Sequence, residues 1–228
     1  SAASDVYKRQ DKISWYKGEA LLPYLEKVDV TEKKQEEGFY MPVQRVCRPD
    51  HTFRGFQGQI ESGEVKVGDE IVTLPSNERA HIKSILVGDK DSQSAFMGQP
   101  VTLQLDKEVD VSRGCVIASG NNLPISKSFT ATILWMDDEE LTPGTDYLVK
   151  LGTKQIPGIL KNIQYKIDVN TGEFIPAGQL KKNEIAVCDL DLQEPVVIDE
   201  FKKHKTLGEL ILIDRISNMT SALSLIHI

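Results

Sequence analysis

The stretch Phe53–Leu74, FRGFQGQIESGEVKVGDEIVTL, decides the fold that the sequence predicts. Polar and apolar residues alternate through Glu64–Val67, as they do in a strand that buries one face. Gly68 then begins a turn signal ahead of a second apolar run. We therefore predict two antiparallel strands of a small β-barrel, joined at Ser62-Gly63.

Glycines mark points where a tightly curved sheet needs a bulge, a turn or a positive φ. We expect structural roles for Gly55, Gly58, Gly63, Gly68 and Gly114. Arg54 and Arg113 each stand immediately before one of these glycines, at the end of a predicted strand. Each is interpreted either as an exposed arginine in a surface turn or as an interdomain contact.

Two groups of short strands follow one another from Tyr40 onward, a pattern typical of barrels or sandwiches. A boundary near Asn121–Pro124 gives two predicted barrels, residues 39–122 and 123–222. The first set of predicted strands is Met41–Cys47, Gly55–Ile60, Val65–Leu74, Ala80–Val87, Val101–Leu105 and Val116–Ala118. The second set is Ser128–Trp135, Asp146–Leu151, Lys154–Ile167, Glu184–Leu192 and Leu210–Ser217, with a hairpin at Asn170-Thr171-Gly172. The predicted fold class is all-β.

The two ends of the chain fit neither barrel. Within Trp15–Val28 we predict one short amphipathic helix that begins after Gly18 and has Pro23 in its first turn. Residues 11–38 are interpreted as the last helix of an upstream domain plus a linker. Residues 1–10 and 223–228 match no neighbouring pattern and resemble translated adapter sequence. We therefore exclude both tails from the predicted fold and expect both ends of the reading frame to be arbitrary.

Composition points away from nucleic acid and membranes as partners. The formal net charge is −7, and the longest basic run is Lys202–Lys205, so the chain has no global attraction for a polyanion. No apolar run approaches the roughly 18 residues that a membrane span needs. Cys47, Cys115 and Cys188 are far apart, and we expect reduced, mostly buried thiols in a cytoplasmic protein.

No motif for catalysis, cofactor binding or metal binding is found in the sequence. The acidic run Asp137–Glu140 has no further ligand at metal spacing, so an exposed turn is expected. His51, His81 and His204 lack zinc spacing and are interpreted as surface or loop residues. The chain has no P-loop sequence of the form G-x-x-x-x-G-K-[ST], so binding of GTP in that manner is excluded.

Two stretches resemble the second domain of translation-type GTPases. Phe53–Leu74 matches its pattern RG.V..G.V.VGD.V, and Phe96–Ala118 matches the segment in which AG..V.L.L leads to I.RG.VL. Further stretches are similar to the large, GTPase subunit of bacterial sulfate adenylyltransferase: Met41–Gly63, Ile133–Met136, Leu141–Gly144 and Leu210–Thr220. This resemblance covers residues 14–222, and its most specific parts are V-Q-x-V-x-R-P and R-I-S-N-x-T.

The resemblance implies barrels like domains 2 and 3 of elongation factor Tu. In that family a G domain, which this sequence lacks, binds GTP and Mg²⁺, and the partner is a small catalytic subunit that makes adenosine 5′-phosphosulfate and pyrophosphate from ATP and sulfate. The barrels would couple the nucleotide state to that subunit, and Arg54 and Arg113 would contact the G domain. The chain alone is expected to be inactive.

Two other functions remain open from the sequence. The first is an RNA-binding barrel pair of a translation factor resembling elongation factor Tu, which the acidic balance and the R-I-S-N-M-T ending disfavour. The second is an unrelated adaptor built on the same fold. Salt-dependent binding to aminoacyl-tRNA would distinguish the first, and binding to the small adenylyltransferase subunit would exclude the second.

Overall fold

The computed structural model describes residues 15–29, 38–50, 53–120 and 122–227. The chain divides into two compact units, residues 1–34 and 35–228. In the N-terminal unit helix α1 (Leu21–Lys27) lies after Gly18 with Pro23 in its first turn, as predicted, and none of its residues is buried. Lys27 pairs with Glu19 at 2.7 Å. Neither helix of the described ranges is long and apolar enough to cross a membrane.

The first barrel is built from ten short strands. They are β1 (Phe39–Pro42), β2 (Arg45–Cys47), β3 (Gly55–Gln59), β4 (Glu64–Lys66), β5 (Glu70–Leu74), β6 (Glu78–Val87), β7 (Lys90–Ser92), β8 (Ser94–Phe96), β9 (Pro100–Leu105) and β10 (Val116–Ser119). The main sheet has the order β1-β10-β5-β6-β9-β3-β2, with β7 paired to β6, and β4 pairs with β8 in a separate ribbon. Every strand pairing in the first barrel, in the main sheet and in the ribbon, is antiparallel.

The second barrel closes on itself. Its elements are β11 (Ile125–Trp135), β12 (Asp146–Leu151), β13 (Lys154–Ile167), β14 (Phe174–Ile175), β15 (Ile185–Val197), the one-turn helix α2 (Lys205–Gly208), β16 (Glu209–Asp214) and β17 (Thr220–Ile226). Six strands form a ring in the order β12-β16-β17-β11-β15-β13, and β13 pairs again with β12. Closure leaves these six strands no unpaired edge.

Each barrel has its own apolar core, because inward side chains alternate with outward ones along the strands. Burial in β11 alternates from Phe129 to Trp135, and the Trp135 indole N–H donates to the Glu139 carbonyl at 2.8 Å. The core of the first barrel includes Met41, Phe56 and Leu103, all at most 1% exposed. The all-β prediction of two small barrels is therefore confirmed.

The predicted hairpin at Ser62-Gly63 is wrong. Strand β3 pairs with β2 and β9, whereas β4 pairs with β8, so the two predicted neighbours do not pair with each other. The Ile60 amide still donates to Gln99, and the chain turns away at Gly63, where φ is +72°. Alternation identified the strands but carries no information about which strands pair.

The five predicted structural glycines serve two different purposes. Gly63, Gly68 and Gly114 have positive φ, as expected. Gly55 and Gly58 do not, and the β3–β9 register is continuous through them, so no bulge forms there. A Cβ at Gly55 would lie 2.5 Å from the Thr102 methyl group, and one at Gly58 would overlap the Pro42 carbonyl. These two glycines allow neighbouring chain segments to approach closely.

The C-terminal residues belong to the fold, contrary to our exclusion of 223–228. Strand β17 runs to Ile226 and pairs with both β11 and β16. Ile226 is 1% exposed in the barrel core, and the His227 amide donates to Thr130 at 3.0 Å. The pattern was missed because Leu223–Ile226 is too short to show its alternation without its neighbours.

Gly63→Val should damage the first barrel more than the same change at another positive-φ glycine. A Cβ at Gly63 would lie 2.8 Å from the Phe39 amide nitrogen, whereas the space around a Cβ at Gly68 is open to 4 Å. Gly68→Val therefore carries backbone strain alone, about 1–3 kcal/mol, and Gly63→Val should lose more stability. Urea unfolding of both variants measures the difference, and equal losses would show that steric overlap at Gly63 is unimportant.

Candidate functional site

Arg54 is a largely enclosed residue of the first barrel that holds a loop in place. Its guanidinium donates to the carbonyls of Val109 at 2.9 Å and Val111 at 3.0 Å, and pairs with Glu108 at 2.5 Å. The same group lies 5.0 Å from the centre of the Phe56 ring. Its side chain is only 20% exposed. Arg54 therefore anchors the loop after β9 to β3.

A groove of about 200 Å³ surrounds Arg54. Its charged side chains are four basic ones, Arg48, Arg54, Lys83 and Lys107, and three acidic ones, Asp50, Asp106 and Glu108. Because the signs nearly balance, the groove has little net attraction for a phosphate or sulfate group.

Arg113 occupies a different environment, although it lies in the same loop between β9 and β10. Its side chain is exposed, and Gly114 beside it has φ +92° and donates to Val43 at 2.9 Å. A Cβ at Gly114 would lie 2.7 Å from the side chain of Lys154, a residue of the second barrel. Arg54 thus fixes the loop, whereas Arg113 is displayed beside the contact between the two barrels.

The two barrels share a third apolar cluster. Its buried members come from both barrels and from the segment that connects them: Tyr40, Leu74, Val116, Ala118, Leu123, Val197 and Leu207. All seven are at most 7% exposed. Removal of this apolar surface from water holds the barrels together, and each fully buried aliphatic side chain contributes roughly 1.5–3 kcal/mol.

Polar contacts fix the orientation of the barrels at this junction. The Tyr40 and Thr206 hydroxyl groups lie 3.2 Å apart, and the Thr153 hydroxyl donates to the Val43 carbonyl at 3.1 Å. The Tyr40 ring also packs edge-on against His204, with 4.9 Å between ring centres. Because hydrogen bonds are directional, they define one relative placement where the apolar cluster alone would permit sliding.

His204 is a loop residue that is buried at this junction, so of its two interpretations, surface or loop, the surface alternative is wrong. It is 8% exposed, and its Nδ1 lies 2.7 Å from Oδ2 of the equally enclosed Asp199. Sequence reasoning missed this burial, because the residue that His204 contacts, Tyr40, is more than a hundred positions away. His81 is exposed as predicted, with Asp106 at 3.2 Å. His51 lies outside the residues that the structure describes.

The acidic run forms an exposed turn, as predicted, and its first member is tied to the second barrel. The buried Ser221 hydroxyl donates to the Asp137 carboxylate at 2.7 Å. This bond, aided by the amides of Glu139 and Asp138, lowers the pKa of Asp137 below its usual 3.8. Throughout the described ranges, His, Cys, Asp and Glu side chains form no group of three suited to hold a metal ion.

The three cysteines are free thiols in the structure. Cys188 is buried in the second barrel, and burial raises the pKa of its thiol to about 12. Cys47 and Cys115 are partly buried. A thiol that holds its proton so firmly is a poor nucleophile, so Cys188 serves packing.

Known proteins match the chain over nearly its whole length. It is 40% identical over 217 residues to sulfate adenylyltransferase subunit 1 of Teredinibacter turnerae and 41% identical to that of Cellvibrio japonicus. Both matches cover 95% of this chain and 46% of the relative. The chain is a homologue of part of sulfate adenylyltransferase subunit 1. It is also 40% identical to the bifunctional enzyme CysN/CysC of Rhodopirellula baltica, of which it covers 34%.

The remaining comparisons concern the fold. Residues 128–227 match the family described as GTP-eEF1A C-terminal domain-like. Crystal structures of sup35, complexed with GMPPNP and with GDP, superpose with a TM-score of 0.79 at 24% identity. They cover 97% of this chain and 55% of sup35. The barrel pair thus has the same fold as sup35 at 24% identity, whereas the subunit 1 relatives are similar to this chain in sequence, at about 40% identity.

Arg54→Ala should destabilise the first barrel by about 2–4 kcal/mol, because two carbonyls lose charge-assisted hydrogen bonds. Arg48→Ala provides a matched control, since Arg48 pairs with the same Glu108 at 2.8 Å but is 55% exposed. An exposed pair is worth about 0–1 kcal/mol. Urea unfolding measures both losses, and similar values would mean that the loop does not depend on Arg54.

Ser221→Ala should raise the pKa of Asp137 toward 3.8, because the strongest hydrogen bond to the carboxylate is lost. The lowered pKa stabilises the fold above pH 3.8, and this contribution disappears as the pH falls through the pKa of folded Asp137. The difference in unfolding free energy between wild type and variant should therefore shrink in acid. Carboxyl NMR titration measures the pKa, and an unchanged value would refute this cause.

Proposed function

We propose that this barrel pair works as part of the GTP-regulated subunit of a sulfate adenylyltransferase, in cytoplasmic sulfate assimilation. The enzyme would form adenosine 5′-phosphosulfate and pyrophosphate from ATP and sulfate on a small catalytic subunit. The barrels would transmit the nucleotide state of a domain that binds GTP and Mg²⁺. The observation that carries the proposal is about 40% identity to subunit 1 over 95% of this chain.

The junction between the barrels suits such a role. A coupling element must move as one body, so that a contact made at one end displaces the other end. The shared cluster around Tyr40 removes apolar surface from both barrels, and the contacts Tyr40–Thr206 and Thr153–Val43 set one orientation. We therefore infer that the two barrels rotate together.

The two arginines would have unequal parts in this coupling. Arg113 is exposed beside the junction, so it can reach a neighbouring GTP-binding domain directly. The two terminal nitrogens of the Arg54 guanidinium instead donate within the first barrel, to Glu108, Val109 and Val111. Arg54 would then act as a positioning residue that holds the loop leading to Arg113.

The first experiment is binding of this chain to the small subunit of sulfate adenylyltransferase, followed by size-exclusion chromatography and calorimetry. We expect a stable complex. The corresponding barrels of sup35 are a matched control, because they share the fold at 24% identity and should not bind. The chain alone should form no adenosine 5′-phosphosulfate and hydrolyse no GTP.

Failure to bind the small subunit would contradict the proposal, as would either activity in a clean preparation of the chain alone. Aminoacyl-tRNA serves as the competing ligand. Binding that weakens steeply with salt would restore the translation-factor interpretation, which the subunit 1 relatives now disfavour.

A further inference from the structure

An apolar row crosses the outer face of the second barrel. Residues directly opposite each other in antiparallel strands lie on the same face of the sheet. Ile211 of β16 is opposite Leu223 of β17, Leu223 is opposite Leu134 of β11, and Leu134 is opposite Ile185 of β15. Four neighbouring strands thus present large aliphatic side chains side by side, a width of about 15 Å at the usual strand spacing.

This row is open to solvent. Leu223 is 47% exposed and Leu225, one step further along the same strand face, is 39% exposed. The row lines a groove of about 620 Å³, whose lining also includes Thr132 and Gly152. Contiguous exposed aliphatic surface of this kind marks sites of association. Leu134, Ile185 and Ile211 lie outside residues 223–228, so the row does not depend on the C-terminal stretch alone.

Two charges of opposite sign border the row. Lys150 of β12 is directly opposite Ile211, and Glu209 is opposite Leu225. Both side chains are exposed and both line the groove. Within the described part of the chain neither has a salt-bridge partner. The border therefore carries one cation and one anion, each available to a second molecule.

We propose that this face binds a second copy of the chain in a two-fold symmetric dimer. A symmetric contact places the same patch against itself, so the patch must complement itself. The aliphatic row meets this requirement, and Lys150 of each copy can pair with Glu209 of the other. The row and its two charges are few beside the roughly 20–30 residues that each partner contributes to a standard interface, so the dimer should dissociate on dilution.

Sedimentation equilibrium of the full chain over a wide concentration range tests the proposal. The wild type should show a reversible equilibrium between monomer and dimer. Leu223→Glu places one carboxylate from each copy, two in all, in the dimer interface and should raise the dissociation constant about a hundredfold, roughly tenfold per copy. Val169→Glu is the matched control, since Val169 is 67% exposed on the β13–β14 turn, and it should leave the dissociation constant unchanged.

Exchanging the charges of Lys150 and Glu209 tests their pairing between copies independently, because it leaves the apolar row unchanged. Lys150→Glu and Glu209→Lys should each weaken the dimer about tenfold, because like charges then face each other. The double variant should recover wild-type affinity. A double variant weaker than either single one would overturn the proposal, and so would a folded Leu223→Glu chain that dimerises normally. A chain that stays monomeric alone, and whose row is covered only by the small adenylyltransferase subunit, would also overturn it.

Discussion

The contact between the two barrels is the interaction on which the described structure from residue 38 onward depends. Each barrel has a separate core, and the cluster of Tyr40, Leu123, Leu207 and their neighbours joins those cores into one unit. Apolar burial supplies the attraction, but it is not directional. The hydroxyl contacts of Tyr40 and Thr153 therefore have a distinct part, since they select one arrangement among those that bury similar area.

Close approach of backbone segments is the second constraint, and glycine meets it. Gly58 lets β3 pass the Pro42 carbonyl, and Gly114 lets the loop after β9 lie against Lys154 of the second barrel. The close approach at Gly114 connects the loop held by Arg54 in the first barrel to the junction with the second barrel. Arg54 fixes the start of that loop, and the end of the loop reaches the neighbouring barrel.

Fold and function separate clearly in this protein. The barrel pair superposes on sup35 at 24% identity, so the architecture by itself says little about chemistry. The proposed role in sulfate adenylyltransferase instead rests on sequence similarity to subunit 1 along nearly the whole chain. The chain spans less than half the length of those relatives. The structure therefore adds to the sequence comparison by describing two surfaces: the junction between the barrels and the apolar row on the second barrel.

The sequence by itself determined the all-β class, most strands of both barrels and the turn glycines Gly63, Gly68 and Gly114. These features depend on neighbouring residues, because alternation and positive φ are local properties. Only the tertiary structure decided that β3 and β4 do not pair with each other, that Ile226 belongs to the second core, and that His204 is buried against Tyr40. Strand partners and junction contacts join residues far apart in the chain, and the burial that selects them depends on three-dimensional packing, which the pattern of neighbouring residues does not contain.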